Sequence, residues 1–380
     1  VKDSNSYFLT FFLILTFSLL GLSRLSAGVL ADGANRLVDL QADITADNAG
    51  NGLIDDDPDD GGWDWYILPT DTAHTSSPSP DNLYGVTANG ILEGFIAEGG
   101  IRAAIGLVDT YLGMDANPDV NKGPDYGFLV RLSDLTGDPT YQDLARDRWD
   151  TKMATYGGAD SLAMLIRDSR HDQGWDALIP WDIGLYIESA MELQRVFPGQ
   201  GYLSDAIDMA DVIYEDLASD SGYFDMNNDS TDAYYLGLEG IVVSFGLTNV
   251  YTSYATDAGR IILANQNQDG SWPWSALYPD PDIQTTAYVV MAFGMLNLPY
   301  NVVNTAGQAG SDYLVSVQGA NGGWDNFGYE YPEVDGECLR AISYYPPTSN
   351  LTGSSPHRLA GQGEVSGTRH LVPIIRPWSE

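Results

Sequence analysis

Apolar residues along this chain fall into two alternating kinds of segment. Residues 182–193 (DIGLYIESAMEL), 232–245 (DAYYLGLEGIVVSF) and 282–296 (DIQTTAYVVMAFGML) are apolar nearly all round, which predicts helices buried on every side. Each opens on Asp, a good N-cap that also meets the positive end of the helix dipole. Between them run amphipathic segments such as 202–218 (YLSDAIDMADVIYEDLA), whose polar face suits water. The alternation predicts an inner and an outer helical layer.

The alternation also has a period. GRIILANQNQDGSW places Gln266, Gly270 and Trp272 in order, and GSDYLVSVQGANGGW places Gln318, Gly322 and Trp324 at the same spacing. Further copies read GGW at 61–63, QGW at 173–175 and SGY at 221–223. The aromatic anchors recur near every fiftieth residue, and the stretch from Asp115 fills a double gap between Trp63 and Trp175. Six helix-pair repeats follow, each unable to bury its own apolar face alone. The expected fold is all-α, an α/α toroid of the (α/α)6 kind. After the last inner helix, 335–345, no outer partner follows, while 28–41 is an outer-type helix without an inner one before it. The N-terminal helix is therefore expected to complete the last pair.

The ends differ from this pattern. Lys2 and the apolar run 7–22, followed by small residues, read as a secretory signal cut near Ala27 or Ala31, which predicts a secreted or cell-surface protein. The expected organisation is a signal peptide at 1–31, one toroid at 32–345 and an irregular tail at 346–380. The lone Cys338 offers no disulfide framework and no disulfide-linked partner. A formal net charge of −36 argues against nucleic acid and anionic membranes, leaving neutral glycans, self-association and calcium as expected partners.

The spacing from Gly310 to Trp324 resembles the QW motif of squalene cyclases, which recurs in the terpenoid cyclase and protein prenyltransferase toroid superfamily. That resemblance implies the toroid fold; its chemistry carries over poorly. Where those cyclases have Asp-x-Asp-Asp, this chain has Asp282-Ile283-Gln284-Thr285, so only the first acid survives. Asp335, Cys338, His357 and His370 offer the zinc-ligand types of the prenyltransferases at a different spacing.

Two other features carry candidate chemistry. Asp47, Asn51, Asp55, Asp57 and Asp59 approximate the alternating oxygen ligands of a calcium loop, though Ala49 and Pro58 depart from it. Asp115, Asn117 and Asp119, and Asp225, Asn227 and Asp229, have similar spacing; all of these also suit solvated acidic loops. The loops before the inner helices are rich in Trp beside acids. Trp175, Trp272 and Trp324 sit at the repeated position and read as packing residues, while Trp65, Trp181 and Trp274 fall outside it and are ligand candidates. Asp64, Asp176, Asp182 and Glu239 are the candidate cavity acids. The expected function is a calcium-stabilised extracellular protein of binding or surface assembly. The alternatives are a carbohydrate-active hydrolase or lyase using paired carboxylates and, behind it, a terpene cyclase.

Overall fold

In the computed structural model, the described residues are 28–42, 60–75, 84–117, 122–219, 234–296, 300–326 and 328–347. Thirteen α-helices lie among them. Six form an inner layer: α2 (Gly85–Glu98), α4 (Gly123–Thr136), α7 (Ile179–Val196), α9 (Tyr235–Thr248), α11 (Ile283–Leu296) and α13 (Pro332–Tyr344). Around them lie α1 (Val29–Leu40), α3 (Ile101–Ala116), α5 (Pro139–Tyr156), α6 (Ala159–Gln173), α8 (Tyr202–Ser219), α10 (Thr252–Ala264) and α12 (Asn301–Val317). Two antiparallel hairpins, β1 (Trp272–Ser275) with β2 (Tyr278–Asp282) and β3 (Asp325–Asn326) with β4 (Tyr329–Glu330), precede α11 and α13.

Each inner helix packs on the next, and α13 packs back on α2, so the ring is closed. The chain is an (α/α)6 toroid. Helix α1 lies against both α13 and α2 and completes the sixth pair. The layer assignment follows from composition: every residue of α9 is buried, whereas α8 and α12 bury one face only. One element departs from strict pairing. Helix α6 is an extra outer helix between α5 and α7, so the third repeat holds three helices. Helix α7 also begins three residues before Asp182, which sits in its first turn instead of capping it. Asp282 does cap α11, accepting from Thr285 N at 2.7 Å.

Glycines set the distance between inner helices. A Cβ on Gly90 would stand 2.5 Å from the Gly336 Cα, and one on Gly336 would stand 2.6 Å from the Thr87 Cα. Gly240 meets the Pro180 backbone in the same way. These helices touch main chain to main chain, an approach that any larger residue blocks.

The repeated Gln, Gly and Trp staple the outer layer. The Trp63, Trp272 and Trp324 indoles donate to Leu37 O, Ile262 O and Leu314 O, each at 2.8 Å. Each acceptor lies four residues before the motif's glutamine. The Gln266 amide donates to Gly270 O and to Ala306 O on the next outer helix, both at 2.9 Å. Gln318 donates to Gly322 O at 2.8 Å and to Val29 O of α1 at 3.1 Å. Gln41 repeats the pattern, donating to Gly61 O at 2.8 Å and to Gly106 O of α3 at 3.0 Å. Gly61, Gly270 and Gly322 all have φ between 71° and 95°, the left-handed region that explains the invariant position of glycine in the copies. In the first copy the acidic stretch is inserted between Gln41 and Gly61, and Ala42 and Gly62 close its base with a 2.9 Å hydrogen bond.

Trp175 breaks the rule. Its helix is the extra α6, Gln173 turns back to Ser169 Oγ at 3.0 Å, and the indole is 43% exposed. A packing role for Trp175, expected from its place in the repeat, is thus corrected: buried Trp149 on α5, donating to Asp205 Oδ2 at 2.8 Å, provides the indole anchor there.

The ring is locked where its ends meet. Arg36 of α1 makes a bidentate ion pair with Glu330, with Nε to Oε1 at 2.6 Å and Nη2 to Oε2 at 2.8 Å, both residues being buried. Replacing Arg36 by Met strands the buried Glu330 charge, an expected loss of about 3 to 5 kcal/mol. Gln318→Leu should cost less, about 1 to 3 kcal/mol, because neutral carbonyls lose their donor. Chemical denaturation measures both, and an unchanged midpoint for Arg36→Met is the result that contradicts this closure.

Candidate active site

The six inner helices leave little space on the ring axis. Two cavities there, of about 10 and 20 Å3, have room for a water apiece and none for a sugar ring. Their walls are unusually polar for the centre of an all-apolar layer. Glu188 on α7, Glu239 on α9, Tyr288 on α11 and Glu337 and Arg340 on α13 all face this space. Asn89 and Glu93 of α2 join through Arg131 of α4, which donates to both.

Glu239 has the most exposed chemistry in the thermodynamic sense. It is 3% accessible, forms no hydrogen bond among the described residues, and shares its cavity with Glu188 and Trp181. Burial pushes its carboxyl pKa well above the ordinary value, the neighbouring Glu188 charge adds to the rise, and Arg340 opposes it. Glu188 is paired with the Arg340 guanidinium. Two carboxyl groups thus share one cavity in different surroundings, one without a hydrogen bond among the described residues and one paired with a cation. Glu337 is also pushed well up, first by burial and then by Glu333, against the hydrogen bonds from Tyr288 and Gln284. Among the described residues, the Trp181 indole N–H, buried at the head of α7, and Arg340 Nε have no acceptor, and Glu337 Oε2 has no donor.

The other candidate acids are engaged. Asp64 Oδ2 accepts from Thr75 N at 2.6 Å and Thr75 Oγ1 at 3.0 Å, fastening the 64–75 loop. Asp182 pairs with Arg170. Asp176 pairs with His171, whose other ring nitrogen lies 3.0 Å from Asp216 Oδ1. Burial lowers the His171 pKa, but the hydrogen bonds to Asp176 and Asp216 outweigh it and the net shift is upward. Trp65 is exposed, Trp274 is half-buried and Trp181 is buried in the axial wall. Glu337 and Arg340 were not among the sequence candidates. Their signal is faint: they are two of four charged residues on the helix, with Glu333 and Asp335, and nothing along the chain singles them out.

The metal candidates give no site among the described residues, where no group of three His, Cys, Asp or Glu side chains converges. Asp115 meets Arg148 at 3.4 Å, and Asn117 donates to Gly113 O at 3.4 Å. Asp47, Asn51, Asp55, Asp57, Asp59, Asp119, Asp225, Asn227 and Asp229 lie outside the described residues, as do His357, His370, the leader and the tail beyond 347. No described helix is long and apolar enough to cross a membrane.

The toroid, with its acids on the axis, was compared with known proteins. No family model and no curated protein matches the sequence. Among solved structures, the chain is similar to the GH76A α-1,6-mannanase of Salegentibacter sp. HEL1_6, at TM-score 0.54 and 10% identity over 84% of this chain and 98% of the mannanase. An inactive variant of that enzyme, with two aspartates replaced and α-1,6-mannotetrose bound, is similar at TM-score 0.51, 11% identity and the same coverage. A family 88 glycosyl hydrolase from Bacteroides vulgatus is more distant, at TM-score 0.46 and 13% identity over 69% of this chain and 91% of the hydrolase.

These neighbours correct two expectations. The kinship suggested by the QW motif, with terpenoid cyclases and prenyltransferases, is not what the fold returns; its neighbours are glycoside hydrolases. The physical reason is visible in the staple, where Gln, Gly and Trp join outer helices and touch none of the axial acids, so the motif reports a toroid and says nothing of chemistry. The expectation of a non-catalytic binding or assembly protein is overturned by the same neighbours, in favour of the carbohydrate-active alternative.

The elevated pKa of Glu239 has a measurable sign. The folded protein keeps this proton where the unfolded chain, with an ordinary value of 4.5, has released it. The contribution to stability is full below about 4.5 and is lost as pH rises toward the folded value. Glu239→Gln should therefore raise stability at pH 7 and flatten, without abolishing, its decline with pH, since Glu337 still contributes. Denaturant midpoints from pH 4 to 8 measure this. A variant destabilised equally at every pH contradicts the buried neutral acid.

Proposed function

We propose that this protein is an extracellular glycoside hydrolase acting on a neutral glycan, with Glu239 as general acid. The single observation that carries the reading is the pair of carboxyl groups, Glu239 and Glu188, that line one axial cavity, with Glu188 held against Arg340. Cleavage of a glycosidic bond needs one protonated and one charged carboxyl group facing the same reaction space. Glu239 gives its proton to the leaving oxygen, Glu188 stabilises the oxocarbenium-like transition state, and a water forms the new bond at the anomeric carbon as the glycosidic bond breaks. Each axial cavity has room for a water and none for a pyranose, so this reading requires the inner helices to part around the sugar as it binds.

Three further facts support the substrate class and location. The likeness to an α-1,6-mannanase supplies a neutral α-linked glycan as the first substrate to try. The net charge of −36 disfavours polyanionic chains. Export fits the leader-like N-terminus, and the staple favours a cut near Ala27, because removal of Val29 would take away the carbonyl that Gln318 binds. Calcium is proposed for the acidic insert between Gln41 and Gly61 alone, on the spacing of its Asp and Asn residues.

Purified protein incubated with a panel of neutral polysaccharides, α-1,6-mannan first, should release new reducing ends. Glu239→Gln is expected to lower the rate by about a hundredfold or more, the scale of a lost general acid. The wild-type rate should fall as pH rises through the folded pKa of Glu239, because the acid must be protonated to act. Release that is absent with every glycan, or unaffected by Glu239→Gln, sinks this assignment.

A further inference from the structure

Helix α6, the outer helix that six pairs do not require, is fastened unevenly. Its N-terminal half buries Ala159, Leu162 and Ala163, and Met164 and Ile166 are partly covered. From Arg167 to Asp176 no residue is buried. Apolar packing, which supplies most of a helix's stability in a folded protein, is therefore thin over the C-terminal half. Polar contacts take its place. Arg170 pairs with Asp182 in the first turn of α7. His171 stands between two acids that belong to other elements. Its Nδ1 meets Oδ1 of Asp176, at the start of the short turn Asp176–Leu178 that leads into α7, and its Nε2 lies 3.0 Å from Oδ1 of Asp216 on α8. One imidazole thus bridges three elements, and the Asp216 carboxyl it reaches is only 6% exposed.

With both acids ionised, only the imidazolium satisfies both contacts. A neutral ring has one N–H and one lone pair, so it donates to one carboxylate and turns a lone pair toward the other; the imidazolium donates to both. The end of α6 favours the same state, because His171 lies in its last turn, where the helix dipole favours a cation. The charges around the ring are Asp176 from the turn, Asp216 from α8, Asp182 from α7, and Arg167, Arg170 and Asp172 on α6 itself. Both of these arginines have acids of their own, Asp168 for Arg167 at 2.8 Å and Asp182 for Arg170.

We propose that His171 is a proton-dependent clasp: as imidazolium it fastens the end of α6 and the turn before α7 to α8, and on losing its proton it gives up one of the two carboxylates and lets this segment loosen. Burial lowers the His171 pKa and the hydrogen bonds to Asp176 and Asp216 raise it, with a net rise above the ordinary 6.5. The clasp's contribution is therefore full below about 6.5 and is lost as pH rises through the folded value. Its effect is local, because residues 167–176 have no buried neighbour among themselves to hold them once the bridge weakens. The same segment carries Trp175 against Tyr234, the N-cap of α9, and runs on to Trp181 in the axial wall. This device stands whether or not the protein cleaves a glycan.

The test uses the full chain with 15N-labelled histidine, titrated by NMR from about pH 5 to about pH 9, the His171 signal being assigned by its loss in His171→Gln. Both ring nitrogens should stay protonated to a midpoint above 6.5, and Asp176→Asn and Asp216→Asn should each lower that midpoint. Asp176 is the more accessible of the two, so Asp176→Asn still reports if the other variant disturbs α8. Hydrogen exchange over residues 167–178, corrected for the intrinsic effect of pH on exchange, should accelerate by about tenfold or more as His171 deprotonates, the scale of a lost hydrogen bond to a charged group. In His171→Gln the segment should exchange fast at every pH. Because Glu239 also makes global stability fall with pH, the ring helices serve as the internal reference. A His171 midpoint at or below 6.5, a midpoint that neither Asn variant moves, or exchange in this segment that ignores the His171 titration overturns the clasp.

Discussion

Closure of the inner ring is the constraint on which the rest of the molecule depends. Six helices meet around an axis only if neighbours approach main chain to main chain, and Gly90 against Gly336 and Gly240 against Pro180 permit that approach. A wider ring would leave a channel that water fills, and a tighter one would clash. The outer layer holds this radius through the Gln, Gly and Trp staples, in each of which the glutamine donates both to a turn glycine carbonyl and to a carbonyl in the first turns of the next outer helix. Because the chain is linear, one junction has no covalent continuity. Arg36 and Glu330 meet there, and Gln318 reaches Val29 beside them.

The same closeness produces the chemistry. Carboxyl groups on the axis of so narrow a ring lose their hydration, and each is raised in pKa unless a cation stands beside it. Glu188 has Arg340; Glu239 has only the distant influence of that same guanidinium. Near the closure, Asp335 is likewise raised well above its ordinary value by burial and by Glu330. Burying these groups costs stability, a cost that an apolar axis would avoid. Retaining Glu330 is understandable because, paired with Arg36, it locks the ring.

Much of the architecture was legible because burial on all sides and burial on one side leave different patterns, and because the left-handed glycine forces a fixed Gln to Gly to Trp spacing. In the copy at Gly61 to Trp63 the partner glutamine, Gln41, escaped notice for a plain reason. The acidic insert separates Gln41 from Gly61, and linear spacing cannot see that the two ends of an insertion meet. Trp175 misled in the opposite direction, since its short motif terminates the extra helix α6 and not a helix of the ring. The site was harder to read. Asp64, Asp176 and Asp182 stand beside Trp in sequence as Glu239 does not, yet folding pairs all three with Thr75, His171 and Arg170 and leaves Glu239 without a partner. What sets Glu239 apart is that it forms no hydrogen bond among the described residues, and such an absence in space has no signature along the chain.

The family resemblance failed for a related reason, and the failure separates two kinds of motif. A staple that closes an outer layer is required by any helix-pair ring whose outer helices must be held at a fixed angle, so its recurrence reports a shared mechanical problem. The axial acids sit on the opposite side of the inner helices, where the staple imposes nothing on them. The loops between staple and inner helix are therefore free to vary: two form hairpins, and several present aromatic rings to the solvent. A ring held from outside leaves its loop face available for recognition, and that division of labour explains how a scaffold with cyclase-like repeats comes to resemble glycoside hydrolases in three dimensions.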